Sequence, residues 1–259
     1  MVYGICNQTL IQVRLEPSEK SEMVSQILFG ETYLILEKFQ KWYRVQNMYD
    51  SYQGWINSSL HIPLSELSYN KLIKEIPVIL DKPISYARQL SKDGVYWLLA
   101  GSAVYGLKGK TFSIEKEIFT LDAVPEDNSN KPVREFMAQL AISMLNIPYL
   151  WGGRSTFGID CSGLSQLIYK IAGLSLRRDA KDQFKQGLEI SLENTKPCDL
   201  AFFGNDDSSI THVGIVLSDS RIVHASGKVR IDNLDCQGIF NNIQKEYSHK
   251  LIGIRSYLV

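Results

Sequence analysis

Hydrophobic residues follow two different spacings along the chain, one typical of β-strands and one typical of helices. Between Leu10 and His61, short runs rich in β-branched and aromatic residues are separated by polar or glycine-containing turns, a pattern typical of strands in a small all-β unit. A second region of this kind, with a poorer alternation, extends from Pro77 to Leu121. The pattern therefore predicts two small β units, at residues 1–66 and 67–125, the first of them a compact barrel.

After a polar, turn-prone segment, residues 122–131, the hydrophobic period becomes helical. Apolar residues from Val133 to Leu145 recur at i, i+3, i+4 and i+7, which predicts a helix that faces the core. The same spacing from Leu164 to Ala172 predicts a second helix. Asp160 is suited to be its N-cap, and Gly173 its C-terminal stop.

Three strand-like segments follow the helices. They are DLAFFG, ITHVGIVL and RIVHAS, and short polar turns join them, so we expect antiparallel strands. Helices followed by such a sheet predict an α+β fold for a third domain, residues 126–259.

Composition and charge limit the kinds of function that the protein can have. Of the 259 residues, 44% are hydrophobic and 22% charged, as in an ordinary soluble globular protein. The 28 basic and 28 acidic residues balance, so no overall field favours nucleic acid or an anionic membrane. The N-terminus lacks the basic stretch of a signal peptide, and no apolar run approaches the roughly 20 residues that cross a bilayer. We therefore expect a cytoplasmic protein without a membrane span.

The candidate nucleophile is Cys161. With Asp160 as N-cap, Cys161 lies in the first helical turn, where unpaired N–H groups and the helix dipole stabilise a thiolate. The alternative is a small, buried apolar residue. The other cysteines, Cys6, Cys198 and Cys236, form no C-x-x-C pair, and we interpret them as structural free thiols.

Two of the four histidines, His212 and His224, belong to one predicted hairpin. If its turn centres on Ser218, the two residues lie directly opposite each other and point to one face of the sheet. Such a pair can supply a base to a thiol nucleophile, although either residue could instead be an ordinary core or surface histidine. We interpret His61 and His249 as structural.

Three segments resemble, in this order, the NlpC-type peptidases of bacterial cell walls. The segments are YLWGGRSTFGIDCSGL (149–164), CDLAFF (198–203) and THVGIVLSDSRIVHAS (211–226). The resemblance covers most of residues 132–259 and implies a papain-like fold. One departure is Cys198, since the family usually has glycine before the aspartate.

The resemblance implies a role for each polar group of the site. Cys161 attacks the carbonyl, His212 is the base, and His224 orients His212 and selects its tautomer. The N–H of Cys161 and the hydroxyl of Tyr149 are the candidate donors to the oxyanion. Packing in the core is the alternative for Tyr149.

A subset of the family has SH3-like barrels ahead of the catalytic domain and cleaves free murein peptides inside the cell. The resemblance to this subset implies that the two predicted β units, residues 1–66 and 67–125, are small SH3-like β-barrels. Similarity to it implies that Asp160 and Ser162 hold the ammonium of an N-terminal L-alanine, together with Glu22 and Tyr52 from the first barrel, and that Trp151 walls the pocket. The alternatives are simple N-capping for Asp160, a solvated charge for Glu22 and a packed aromatic for Tyr52.

These features predict a cysteine peptidase with no metal or other cofactor. Its expected substrate is a small murein peptide, L-Ala-γ-D-Glu-L-Lys or the meso-diaminopimelate equivalent, cleaved after D-glutamate to release L-Ala-D-Glu. Two other functions stay open. One is a catalytically silent module that binds wall peptides; the other is an amidase or acyltransferase that uses the same diad.

Overall fold

A computed structural model describes residues 1–91, 93–128, 130–205 and 209–258. The chain forms two compact units, residues 1–127 and 128–259. Within the described ranges, no helix has both the length and the apolar character needed to cross a membrane.

The first unit begins with a seven-stranded antiparallel sheet. Its strands are β1 (Val2–Ile5), β2 (Leu10–Arg14), β3 (Met23–Leu28), β4 (Thr32–Phe39), β5 (Trp42–Asn47), β6 (Gln53–Asn57) and β7 (Ile62–Leu64). They lie in the order β3-β2-β6-β5-β4-β1-β7. Strands β2 to β6 match the predicted runs. In β2 and β6 alternate residues are buried, as Ile11 and Val13 are in β2.

Helix α1 (Glu66–Leu72) begins after Ser65, whose hydroxyl accepts a hydrogen bond from the Ser68 N–H. Six strands follow: β8 (Val78–Ile79), β9 (Ile84–Gln89), β10 (Val95–Leu99), β11 (Ala103–Val104), β12 (Thr111–Ile114) and β13 (Glu117–Leu121). Four of them form an antiparallel sheet in the order β10-β9-β13-β12, and β8 pairs with β11.

One buried cluster joins the two β regions of the first unit. Phe29, at the end of β3, meets Phe112 and Phe119 edge to face at 5.9 Å, while Phe112 and Phe119 stack on each other. Tyr3 and Leu64 belong to the same cluster. The core therefore continues across residue 66, and a division into two barrels at that residue stays a prediction.

In its described residues, the second unit has three α-helices, α2 (Val133–Ser143), α3 (Cys161–Ile171) and α4 (Ala180–Gln186), and a short hairpin of β14 (Arg154–Ser155) and β15 (Gly158–Ile159). The two predicted helices are confirmed as α2 and α3. Helix α3 begins at the predicted cap and ends before Gly173, which adopts a φ of +79°.

The remaining strands form one antiparallel sheet. They are β16 (Leu188–Ile190), β17 (Leu200–Gly204), β18 (Ile210–Val216), β19 (Arg221–Ser226), β20 (Lys228–Leu234), β21 (Gly238–Asn241) and β22 (Glu246–Ser256). Their order is β16-β22-β17-β18-β19-β20-β21, and a further pairing of β21 with β22 closes six strands into a barrel. The predicted α+β fold is confirmed for this unit.

Apolar side chains from all six barrel strands, including Val216 and Ile222, form one buried cluster. Because side chains alternate along a strand, His212 lies on the same face of β18 as Val216, and His224 on the same face of β19 as Ile222. Both histidines are buried. The barrel thus collects the two imidazoles on one side of the sheet.

Candidate active site

Asp160 holds the start of α3 in place. Its Oδ1 atom accepts a hydrogen bond from the N–H of Gly163 at 2.7 Å, which confirms the predicted N-cap, and its Oδ2 atom accepts one from the N–H of Gly152 at 2.9 Å. The carboxylate therefore ties the loop before α3 to the first helical turn. Cys161, the next residue, is the first of the helix and is buried.

Two glycines of this segment provide space for backbone. A Cβ atom on Gly163 would lie 2.2 Å from the carbonyl oxygen of Gly153, and one on Gly153 would lie 2.3 Å from that of Gly158. Contacts this short exclude any side chain. The glycines in the WGG and DCSG segments thus let the loop pack directly on the first turn of α3.

Burial dominates the ionisation of the nucleophile. It raises the pKa of Cys161 to about 12; the negative charge of Asp160 adds to this, while the backbone of Val213, the charge of Arg178 and the backbone of Ser162 act against it. The expectation that the helix start would supply a stable thiolate is therefore wrong. The resting thiol is neutral at pH 7, so a base must remove its proton during the attack.

The thiol lies against β18. Among the described residues, its hydrogen-bonding neighbours are the backbone groups of Val213 and Ser162, and Val213 directly follows His212 in the strand. The sulfur and the candidate base thus approach the same part of β18. The direct pairing of Cys161 with His212 stays a prediction.

A chain of hydrogen bonds leads away from His212. Its Nε2 atom lies 2.9 Å from Nδ1 of His224, and Nε2 of His224 lies 3.0 Å from Oδ2 of Asp232. Burial acts to raise the pKa of Asp232, but hydrogen bonds from His224 and Arg230 outweigh it and lower the pKa below its usual value. Asp232 is therefore an ionised acceptor.

This arrangement selects one tautomer for each imidazole. Because the Asp232 carboxylate only accepts hydrogen bonds, Nε2 of His224 carries a proton and Nδ1 carries a lone pair. That lone pair accepts the Nε2–H of His212. Nδ1 of His212 is then left with its lone pair, the form that a general base needs.

The hairpin that carries the two histidines differs from the predicted one in register. Gly214, and not His212, lies opposite His224, so the turn centres on Asp219 instead of Ser218. A three-residue loop, in which Asp219 and Ser220 both adopt a positive φ, explains the shift. The pairing moves by two residues, which preserves the shared face, and the imidazoles meet diagonally across the hairpin.

Gly214 makes room for that diagonal contact. A Cβ atom on Gly214 would lie 2.6 Å from Cδ1 of Ile222 and 3.1 Å from Cβ of His224. Because Gly214 has no side chain, the His224 side chain can pack closely against β18 and contact His212.

A third imidazole contacts the base. His249, in β22, stacks on His212 with ring centroids 4.1 Å apart and planes inclined by 24°. Burial lowers the pKa of His212 well below its usual 6.5, and the neighbouring His249 and His224 lower it further. His212 is thus neutral and able to accept a proton at pH 7.

Asp160 also forms a buried ion pair that the sequence interpretation missed. Arg178 donates to Asp160 from both Nη atoms, with 3.0 Å between Nη1 and Oδ1, and its Nη1 atom donates to the Ser162 hydroxyl at 2.9 Å. Both charged side chains are almost fully buried. The positive charge of Arg178 therefore compensates the negative charge of Asp160, and the Ser162 hydroxyl is held beside the carboxylate.

The other four predicted site residues differ in how far their side chains are buried. Tyr149 is half-buried, and burial, together with Cys161 and Asp160, raises its pKa to about 12, so its hydroxyl keeps its proton and can donate. Trp151 is 60% exposed. In the first unit, Glu22 is exposed just before β3 and Tyr52 is half-buried just before β6.

Cys198 occupies a backbone conformation that explains the family's usual glycine. Its φ is +71°, in the left-handed region where glycine is favoured. The side chain is buried and donates to the carbonyl of Arg134. All four cysteines, Cys6 and Cys236 included, are free thiols, as predicted.

Sequence reasoning also missed Asp232 and His249. Asp232 lies two residues beyond the position opposite His224, the same diagonal offset that separates His224 from His212, so the hairpin pattern contained a signal for it. His249 had none, because β17 separates its strand from β18.

Comparisons with known proteins agree with this site. The profile of the NlpC/P60 family matches residues 146–250, and that of the bacterial dipeptidyl-peptidase SH3 domain matches residues 13–59. The gamma-D-glutamyl-L-lysine dipeptidyl-peptidase of Bacillus subtilis is 30% identical over 240 residues, which cover 86% of this chain and 74% of that protein. This chain belongs to the NlpC/P60 family.

Two further NlpC/P60 relatives cover nearly the whole chain. Dipeptidyl-peptidase 6 of Lysinibacillus sphaericus is 26% identical over 248 residues, 86% of this chain and 88% of that protein. The crystal structure of an NlpC/P60 family protein from Bacillus cereus has 18% identity and a TM-score of 0.83, and the match covers 99% of this chain and all of the other. The predicted family and fold, including an SH3-like domain at the start, are thereby confirmed.

Proposed function

We propose that this NlpC/P60 protein hydrolyses the γ-D-glutamyl-L-lysine bond, or its meso-diaminopimelate equivalent, in murein peptides with a free N-terminal L-alanine, and releases L-Ala-D-Glu. The observation that carries the proposal is the thiol at the start of α3 beside a strand whose buried histidine is prepared as a base by His224 and Asp232. Relatives named dipeptidyl-peptidases support the choice of bond.

The protonation states of Cys161 and His212 favour an attack by the sulfur that is coupled to transfer of the thiol proton. Because Cys161 is neutral at pH 7 and His212 is a neutral acceptor, the thiol gives its proton to Nδ1 of His212 as the sulfur adds to the γ-carbonyl. The N–H of Cys161 and the Tyr149 hydroxyl are the proposed donors to the oxyanion. The imidazolium then protonates the leaving amine, and water hydrolyses the thioester.

The requirement for a free amine is the more specific part of the proposal. Within the second unit, it assigns the substrate ammonium to Asp160 and Ser162. Since Asp160 already accepts hydrogen bonds from Arg178, Gly152 and Gly163, we expect its direct share in binding the ammonium to be small. Peptides with a free L-alanine arise once the stem peptide has left the glycan, so we place the enzyme in the cytoplasm.

The test compares L-Ala-γ-D-Glu-L-Lys with its N-acetylated form, with products identified by mass spectrometry. We expect L-Ala-D-Glu from the free peptide and at least about tenfold slower cleavage of the blocked one, because a charged hydrogen-bonding site that loses its partner costs more than 1.4 kcal/mol. Equal rates would refute the ammonium site. No cleavage of either peptide would favour the silent binding module.

Two variants separate chemistry from binding. Cys161→Ala should abolish turnover of every peptide, whereas Ser162→Ala should raise KM for the free peptide and leave the slow rate on the acetylated peptide unchanged. If Ser162→Ala lowers both rates equally, Ser162 has no role in recognising the amine.

A further inference from the structure

We propose that His212, His224 and His249 form a binding site for zinc or a similar divalent transition ion, and that the bound ion inhibits the enzyme. Each ring offers one nitrogen, and the three nitrogens lie within 4.8 Å of one another. Imidazole is a preferred ligand of zinc, copper and nickel. The inhibition rests on the proposed peptidase function, whereas the binding does not.

The spacing of the first two ligands is close to that of a metal site. Nε2 of His212 and Nδ1 of His224 are 2.9 Å apart, and two nitrogens bound to tetrahedral zinc at about 2.0 Å are about 3.3 Å apart. The rings thus need to separate by only about 0.4 Å, given that zinc geometry. The third ring, His249, is the most exposed of the three and can tilt from its stacked position to bring in its nitrogen.

Two of the ligands already have the outer hydrogen bonds that metal-binding histidines use. His224 donates from Nε2 to Asp232 at 3.0 Å, which directs the lone pair of Nδ1 towards His212. Nδ1 of His249 lies 2.8 Å from Oγ of Ser248, which can accept its proton and leave Nε2 as the ligand. Such partners fix the tautomer and orientation of a metal-bound imidazole.

An ion from solvent can reach the cluster from one side of the barrel. His249 borders a surface pocket of about 430 Å³, which is also lined by Cys236, Tyr247 and Lys250. Cys236 is exposed, so its thiol is a competing ligand that any test has to remove.

Inhibition follows from the tautomers. In the resting site the proton of His212 is on Nε2 and the lone pair is on Nδ1. A metal ion on Nε2 moves that proton to Nδ1, with no net release of protons. Nδ1 then has no lone pair for the thiol of Cys161, and the attack cannot begin.

The binding test uses a chain without accessible thiols, Cys161→Ala combined with Cys236→Ser, titrated with zinc chloride in a calorimeter. We expect one ion per chain. Adding His249→Phe should weaken binding at least tenfold, since even outer-shell changes cost about 10–100-fold in metal affinity. His61→Phe, which removes a histidine of the first unit, is the matched control and should change nothing.

A spectroscopic readout checks the ligands. Cobalt bound to the same chain without accessible thiols should show visible bands of low coordination number, which His249→Phe should weaken. Circular dichroism verifies that the variant is folded. In the otherwise wild-type enzyme, zinc should inhibit turnover and EDTA should restore it. His249→Phe should require at least tenfold more zinc to lose half of its own metal-free rate. Equal zinc affinity or equal inhibition in His249→Phe, or no binding to the parent chain, would overturn the proposal.

Discussion

Nε2 of His224 lies 3.0 Å from Oδ2 of Asp232, at the far end of a line of hydrogen bonds that starts at His212. Arg230 donates to the same carboxylate. Asp232, a buried and ionised aspartate, thus determines which nitrogen of His212 keeps its lone pair, although His224 lies between the two residues.

Replacing Asp232 with alanine should lower kcat by at least about 100-fold, because the orienting group that selects the active tautomer is lost. KM should change little, since Asp232 has no proposed contact with substrate. Steady-state kinetics on the free tripeptide separate the two parameters. Asp235→Ala is the matched control, because Asp235 is a half-buried aspartate that accepts a hydrogen bond from the Tyr247 hydroxyl. Equal losses in both variants would contradict the role of Asp232.

The pH profile of kcat/KM should fall on its acid side only at pH values below the usual pKa range of histidine. Activity needs neutral His212, and burial together with His249 and His224 lowers its pKa well below 6.5. The value of kcat/KM should therefore stay level as the pH falls through 6.5 and decline only at lower pH. A limb centred at or above 6.5 would show that the base is not desolvated as described.

Alkylation should report a neutral thiol in the resting enzyme. Burial raises the pKa of Cys161 to about 12, so the rate with iodoacetamide should continue to rise above pH 8 without a plateau near neutrality. The measurement needs Cys236→Ser, because that thiol is exposed. The same chain with Cys161→Ala gives the background rate. A fast, pH-independent reaction at pH 6 to 7 would mean that a thiolate is already present.

Gly214→Ala should reduce both stability and activity. The new Cβ atom would lie 2.6 Å from Ile222 and 3.1 Å from His224, an overpacked contact that costs about 1–3 kcal/mol. Displacement of His224 should also lower kcat. Gly253→Ala is the control, in strand β22 of the same sheet, since its Cβ atom meets only ordinary contacts at 3.4 Å or more. If both variants behave alike, Gly214 is not needed for the approach of His224.

Arg178→Met should destabilise the second unit strongly. It leaves Asp160 as a buried carboxylate without its cation, and removing one partner of a buried ion pair costs about 3–5 kcal/mol. Urea unfolding measures the loss. Arg221→Met removes an exposed pair with Asp219 and should change stability by less than about 1 kcal/mol. A small effect at Arg178 would mean that water replaces the guanidinium.

Those parts of the site that depend on neighbours along the chain can be predicted from the amino-acid sequence. The cap at Asp160 and the helix that begins with Cys161 follow from local hydrogen bonding and a hydrophobic period. The shared face of His212 and His224 follows from strand alternation, which survived an error of two residues in the pairing.

The surroundings of these groups depend on residues that are far apart in the chain and meet only in the folded protein. His249 reaches His212 because the sheet closes into a barrel, and Arg178 reaches Asp160 from 18 residues away. The ionisation of Cys161 was mispredicted for the same reason. A helix start is a local feature, whereas desolvation sums the packing of the whole unit around the sulfur, and no short stretch of sequence contains that sum.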